Sequence, residues 1–126
     1  MYRVPEVRKR NRLEVSITAD TLLLNQQTIS EEALRRILHQ FVRQYAPDYV
    51  LIYQPDENIS YGRYVEGLDL LYSAIEKVRQ EVSFRLYNHP FEQEYGGRSY
   101  DTIEATYPKN VLEWTPEEER LLRVGR

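Results

Sequence analysis

Cysteine is absent from the 126 residues, methionine and tryptophan occur once each, and histidine occurs twice. Without cysteine there is no disulfide staple and no thiolate metal site, and a reducing or an oxidising compartment suits the chain equally. His39 and His89 stand in unrelated contexts, one beside the apolar stripe of a helix and one ahead of a proline. Neither has a partner at metal-ligand spacing, so no metal and no cofactor is expected. Glycine is sparse, and Gly62 and Gly67 do not follow a strand at the offset of a phosphate loop or dinucleotide fingerprint. Nothing resembles a nucleophile elbow. No apolar run approaches the roughly 20 residues of a membrane helix, and there is no secretory signal, so the sequence as written reads as soluble.

What is present fits one globular domain. Hydrophobic residues make up 41% and charged residues 29%, which sets the chain apart from disordered sequences. Its length is enough to bury roughly two-thirds of the unfolded surface. Eleven tyrosines stand out. An apolar ring with a wet hydroxyl suits half-buried helix faces or an interface, and core filling is the ordinary use. Residues 1–12 carry five cations against Glu6, so they hold +4 of a net charge of −3, and the remainder holds −7. An acidic body argues against nucleic acid as a partner. The basic start suits a solvated linker or a segment on an anionic lipid surface.

The central unit runs from Pro47 to Gln80. Asp48 to Tyr53 (DYVLIY) is short, rich in β-branched and aromatic residues, and apolar on both sides, which predicts a strand buried on both faces. Gln54 to Asn58 supplies a turn and Ser60 a cap. Tyr61, Tyr64, Val65, Leu68, Leu71, Tyr72, Ile75 and Val78 then recur at helical spacing. Gly67 within that helix predicts close packing of helix on sheet.

Around this unit, Leu13, Val15, Ile17 and Ala19 alternate with polar residues and predict a half-buried strand. Leu22 to Leu24 predicts a second strand paired with it as a hairpin. Gln27 to Ile29 leads into a first helix, capped at Thr28 or Ser30, whose stripe is Leu34, Ile37, Leu38, Phe41, Val42 and Tyr45. Pro47 ends it by disfavouring helical geometry at Ala46. Val82, Phe84 and Leu86 alternate with polar residues and predict another strand. The order through residue 87 is therefore ββαβαβ. Parallel right-handed crossovers make it an α+β fold of two layers, a mixed sheet with two helices on one face. Residues 88–126 form a C-terminal extension, with an edge strand expected at Thr102 to Tyr107 and a short helix from Thr115, anchored by Trp114.

No catalytic constellation emerges. Asp56 with Glu57, and Asp20 with Asp69, are the paired-carboxylate candidates, but acids in turns are ordinarily solvated. Glu117 to Glu119 complement a helix N-terminus.

Several strings, taken in order, resemble the periplasmic domain of the ExbD/TolR family, the small subunit of proton-driven inner-membrane motors. They are Leu13 to Asp20 (LEVSITAD), Leu22 to Asn25 (LLLN), Val50 to Asp56 (VLIYQPD), Ser60 to Val65 (SYGRYV) and Leu68 to Leu71 (LDLL). The likeness spans about residues 13–87. Asp20, Asp56, Tyr61, Tyr64 and Asp69 fall at or beside the family's motif places and are the candidate partner-interface residues.

The resemblance implies a non-enzymatic homodimer. It implies an ExbB- or TolQ-like membrane subunit and a TonB- or TolA-like protein as partners, energising outer-membrane transport or envelope integrity. The family's proton-carrying aspartate belongs to a transmembrane helix ahead of this domain, so no residue here inherits that role. Residues 1–12 would then be the stalk leaving the inner membrane, with Met1 an artefact of excision. The expected contact surfaces are the polar face of the first strand and the last strand. Two other functions stand beside this one: a peptidoglycan-binding envelope module, suggested by the tyrosines, and a small enzyme using Asp56 and Tyr61.

Overall fold

The computed structural model describes residues 11–91 and 98–113, the side chains of 98–100 excepted. The elements are β1 (Arg12–Ile17), β2 (Leu22–Leu24), β3 (Gln27–Ile29), α1 (Glu31–Tyr45), β4 (Val50–Pro55), α2 (Tyr61–Tyr87), α3 (Arg98–Thr106) and β5 (Val111–Glu113). The sheet order is β3-β2-β1-β4-β5. β1 runs parallel to β4 and β4 parallel to β5, whereas β1, β2 and β3 form an antiparallel meander. The crossovers β3-α1-β4 and β4-α2-α3-β5 progress the same way across the sheet, and right-handed connections then put their helices on one face. The expected two-layer α+β architecture is what the chain adopts.

Burial follows the sequence pattern. Leu13, Val15 and Ile17 face the core while Glu14 and Ser16 are half-buried on the opposite face. There Ser16 Oγ donates to Gln54 Oε1 at 3.0 Å across the β1-β4 pair. On β4, Val50, Leu51, Ile52 and Tyr53 are all buried, as expected for a central strand. Leu34, Leu38, Phe41 and Val42 of α1 and Leu70, Leu71, Ala74, Ile75, Val78 and Val82 of α2 close the core from above. Ser30 Oγ caps α1 by accepting from Ala33 N at 3.2 Å, and Ser60 Oγ caps α2 by accepting from Arg63 N at 3.2 Å. Ala46 ends α1 in extended geometry ahead of Pro47.

Four expectations are corrected. Val82, Phe84 and Leu86 lie on α2, not on a strand. Val82 continues the stripe of Ile75 and Val78 into the core, while Phe84 and Leu86 are 54% and 56% exposed. The helix stops at Asn88, in the left-handed region at φ 59°, whose N–H donates to Phe84 O. Thr102 to Tyr107 is not an edge strand: Thr102 to Thr106 are the end of α3, and Tyr107 follows the helix. Its β-branched residues misled, since Thr106 Oγ1 satisfies Thr102 O along a helix and Ile103 alone is buried. Gln27 to Ile29 is a strand. Asn25 and Gln26 take φ of 49° and 71°, the positive values of a two-residue hairpin turn. β1 also ends at Ile17, leaving Ala19 exposed in the following turn.

The described residues beyond 87 are built into the same body. Gln80 receives Phe91 as a neighbouring strand would, with Phe91 N donating to its Oε1 at 2.9 Å and its Nε2 donating to Phe91 O at 2.7 Å. Buried Arg79 donates from Nε to Tyr107 O at 2.8 Å and lies 5.3 Å from the centre of the Phe91 ring. The fully buried Tyr49 donates its hydroxyl to Pro108 O, fixing the approach to β5. The helix expected from Thr115, its anchor Trp114, and the linker before Asn11 lie outside the described residues.

Candidate functional site

The carboxyl ends of β1 and β4 meet the start of α2, and most of the sequence-predicted residues gather there. Asp56 N donates to Ile17 O at 2.9 Å, tying the two strand ends together. The β1-β2 turn that carries Asp20 is organised by Thr18. Its hydroxyl accepts from Asp20 N and Thr21 N and lies 2.6 Å from the Thr21 hydroxyl. Arg63 then staples that turn to the helix, donating from Nε to Thr18 O at 3.0 Å and from Nη1 to Glu66 Oε2 at 3.0 Å.

A tyrosine stack rises from the core to the surface. Tyr53 is fully buried and donates its hydroxyl to Tyr64 O at 2.7 Å. Its ring reaches α2 because Gly67 has no side chain, so the expected close packing at Gly67 is what the chain shows. The Tyr53 and Tyr64 rings are 5.7 Å apart and tilted, and Tyr61 stacks on Tyr64 at 6.3 Å and 23°. Tyr61 itself is 81% exposed. Tyr64 donates to Glu113 Oε2 of β5 at 2.6 Å, joining helix to sheet rim.

These contacts set the acid–base character. The hydrogen bond to Glu113, followed by burial, pushes the Tyr64 hydroxyl from 10.0 up to about 12. Burial first, then the neighbouring Tyr64 and Glu113, pushes Tyr53 well above the ordinary tyrosine value, against a smaller opposing effect of Arg63. Both phenols therefore keep their protons at neutral pH, in keeping with the hydrogen bonds they donate to Tyr64 O and Glu113 Oε2.

Asp20, Asp56, Tyr61 and Tyr64 thus share one end of the sheet, whereas exposed Asp69 lies two turns along α2. The side chains of Asp20, Asp56 and Asp69 make no hydrogen bond among the described residues, so none joins Asp56 to Tyr61. Glu57 occupies the same exposed turn as Asp56. No group of three histidine, aspartate or glutamate side chains among the described residues is placed to hold a metal ion. His39 Nε2 meets Glu81 Oε2 at 2.9 Å, and His89 Nδ1 lies 2.9 Å from Pro90 O, so the histidines occupy separate parts of the molecule.

Sequence reasoning missed Arg63, Tyr53 and Glu113 as members of this cluster. Arg63 had a signal, since a long cation in the first turn of a capped helix is free to reach back over the cap. Glu113 had none, because its placement depends on where β5 joins the sheet.

The chain matches no protein-family model and no curated protein. No described helix is long and apolar enough to cross a membrane.

Proposed function

We propose that the chain is the periplasmic portion of a small ExbD/TolR-like subunit of a proton-motive-force-driven inner-membrane motor. It works by holding other proteins along the rims of its sheet and performs no reaction itself. The observation that carries this reading is that both rims end in strands with one unpaired side among the described residues, β3 and β5. Leu24 and Gln27 flank the hairpin turn and close its ladder, so the backbone groups of Thr28 point away from β2. On β5, Leu51 N donates to Asn110 O, so the alternation along the strand turns the backbone of Glu113 outward. Such edges accept an extended segment or a second copy. Tyr64 beside β5 and the exposed Asp20 and Asp56 at the same end of the sheet add recognition surface.

The expected contact surfaces change accordingly. Residues 82–86 are helical, so the contact expected of the last strand passes to β5, with β3 as the opposite rim, and the polar face of β1 stays a contact surface beside them. Immobilised chain should retain an ExbB- or TolQ-like subunit in detergent, or the periplasmic part of a TonB- or TolA-like protein. Thr28→Pro, which removes an outward N–H and no ladder bond, should weaken retention at the β3 rim. Failure to retain either partner would overturn the proposal. Tyr61, exposed and stacked on Tyr64, favours peptidoglycan as a second reading, because flat aromatic pairs suit sugar rings. Tyr61→Ala should then abolish retention by purified peptidoglycan while leaving protein partners bound.

A further inference from the structure

The outer surface of the helix layer carries a groove of about 340 Å³ between α1 and α2. Glu32, Arg35, Arg36 and His39 line one wall, and Leu70, Ser73, Ala74 and Lys77 line the other. Each set has the spacing i, i+3, i+4, i+7, one stripe of a helix. Both helices follow parallel strands, so the stripes run side by side in the same direction. The contact between His39 and Glu81, one turn beyond Lys77, fits that register. The hollow exists because Ser73 and Ala74 are small, so α2 presents little side-chain bulk to the long arginines of α1.

Charge inside the groove opposes that of the body. Arg35, Arg36 and Lys77 line it against Glu32, whereas residues 13–126 together carry −7. Arg35 is offset at 3.6 Å by Glu31, and Glu81 engages His39. Arg36 and Lys77 meet no carboxylate among the described residues. Two guanidiniums, an ammonium and the Ser73 hydroxyl are the donor set of a phosphate site, with bidentate forks and a point charge. Leu70 and Ala74 give an apolar floor, and Glu32 at the far end accepts a hydroxyl or ammonium group.

We propose that this groove binds an organic phosphate carrying a hydroxyl or ammonium group a few atoms from the phosphorus. The phosphate lies over Arg36 and Lys77, and the second polar group meets Glu32. A free phosphate ester and a phospholipid headgroup share this chemistry. The site is independent of the sheet rims and of the motor reading.

The test is NMR titration of the 126-residue chain with phosphoethanolamine, and in parallel co-sedimentation with phosphatidylethanolamine–phosphatidylglycerol vesicles. Saturable shifts confined to residues 32–39 and 70–77 are expected with the soluble probe if the ligand is free, and binding only to vesicles if it is a headgroup. Arg36→Ala and Ser73→Glu, both at exposed positions, should weaken binding roughly tenfold or more. Arg43→Ala, outside the groove, should leave it unchanged. Absence of binding to both probes would overturn the assignment. So would shifts spread over all surface cations, or binding indifferent to Ser73→Glu.

Discussion

A Cβ on Gly67 would stand 2.1 Å from the Tyr53 hydroxyl and 2.7 Å from Cε1 and Cζ of its ring. The tyrosine is fully buried and bonded to Tyr64 O, so it has nowhere to retreat. Gly67→Ala should therefore destabilise the fold. Overpacking costs about 1–3 kcal/mol, against about 0.8–1 kcal/mol regained in helix propensity. Tyr53→Phe removes a hydrogen bond worth about 1 kcal/mol and also the closest clash. Urea denaturation of the double variant should show less loss than the sum of the singles, and strict additivity would contradict the contact.

The same stack predicts a pH dependence. Tyr64 has its pKa raised from 10.0 to about 12 in the folded state, so the folded protein holds the proton more tightly than the unfolded chain. That stabilisation is complete below pH 10 and is lost as the pH rises toward 12. Tyr49 and Tyr53, also raised by burial, act in the same direction. Glu113→Gln should bring Tyr64 back toward its ordinary value, read by NMR of ring-labelled tyrosine. An unchanged titration would mean that Glu113 is not its acceptor.

Val82 and Phe84 give opposite expectations on a helix and similar ones on a strand. Val82→Ala removes two buried methyl groups and should cost about 1.5–2.5 kcal/mol. Phe84→Ala, at a side chain 54% exposed, should stay within about 0.5 kcal/mol. Chemical denaturation of the two variants separates the cases, and equal losses would restore the strand.

The periodic elements were legible in the sequence. The stripe of α1, the later positions Leu71, Ile75 and Val78 of α2, the alternation of Leu13, Val15 and Ile17, the Ser60 cap and the stop at Pro47 all follow from local pattern. Tyr61 and Tyr72 of the α2 stripe, by contrast, are exposed, and Leu70 and Ala74 take their place in the core. The errors share a cause: a local pattern that fits two periods. Val82, Phe84 and Leu86 alternate, yet Val82 also completes the helical series of Ile75 and Val78. Thr102 to Tyr107 is rich in strand formers, but tertiary packing of Ile103 decides for a helix. Asn25-Gln26 is a hairpin turn without glycine, so its signal is faint. At the candidate site, Asp20, Asp56, Tyr61 and Tyr64 come from strings that stand in order along the sequence, and the fold brings these four to one end of the sheet. Glu113 was out of reach because long-range strand pairing leaves no mark on neighbouring residues.

The central claim is that the rims of this sheet hold protein partners, a second copy among them. Sedimentation velocity from about 10 to several hundred micromolar, alongside Thr28→Pro, tests it most directly, in the concentration range where micromolar-to-millimolar contacts register. The account predicts a dimer that forms with rising concentration and is weakened in Thr28→Pro. A chain that stays monomeric throughout, or a dimer that Thr28→Pro and a matching change at Glu113 both leave untouched, would contradict it.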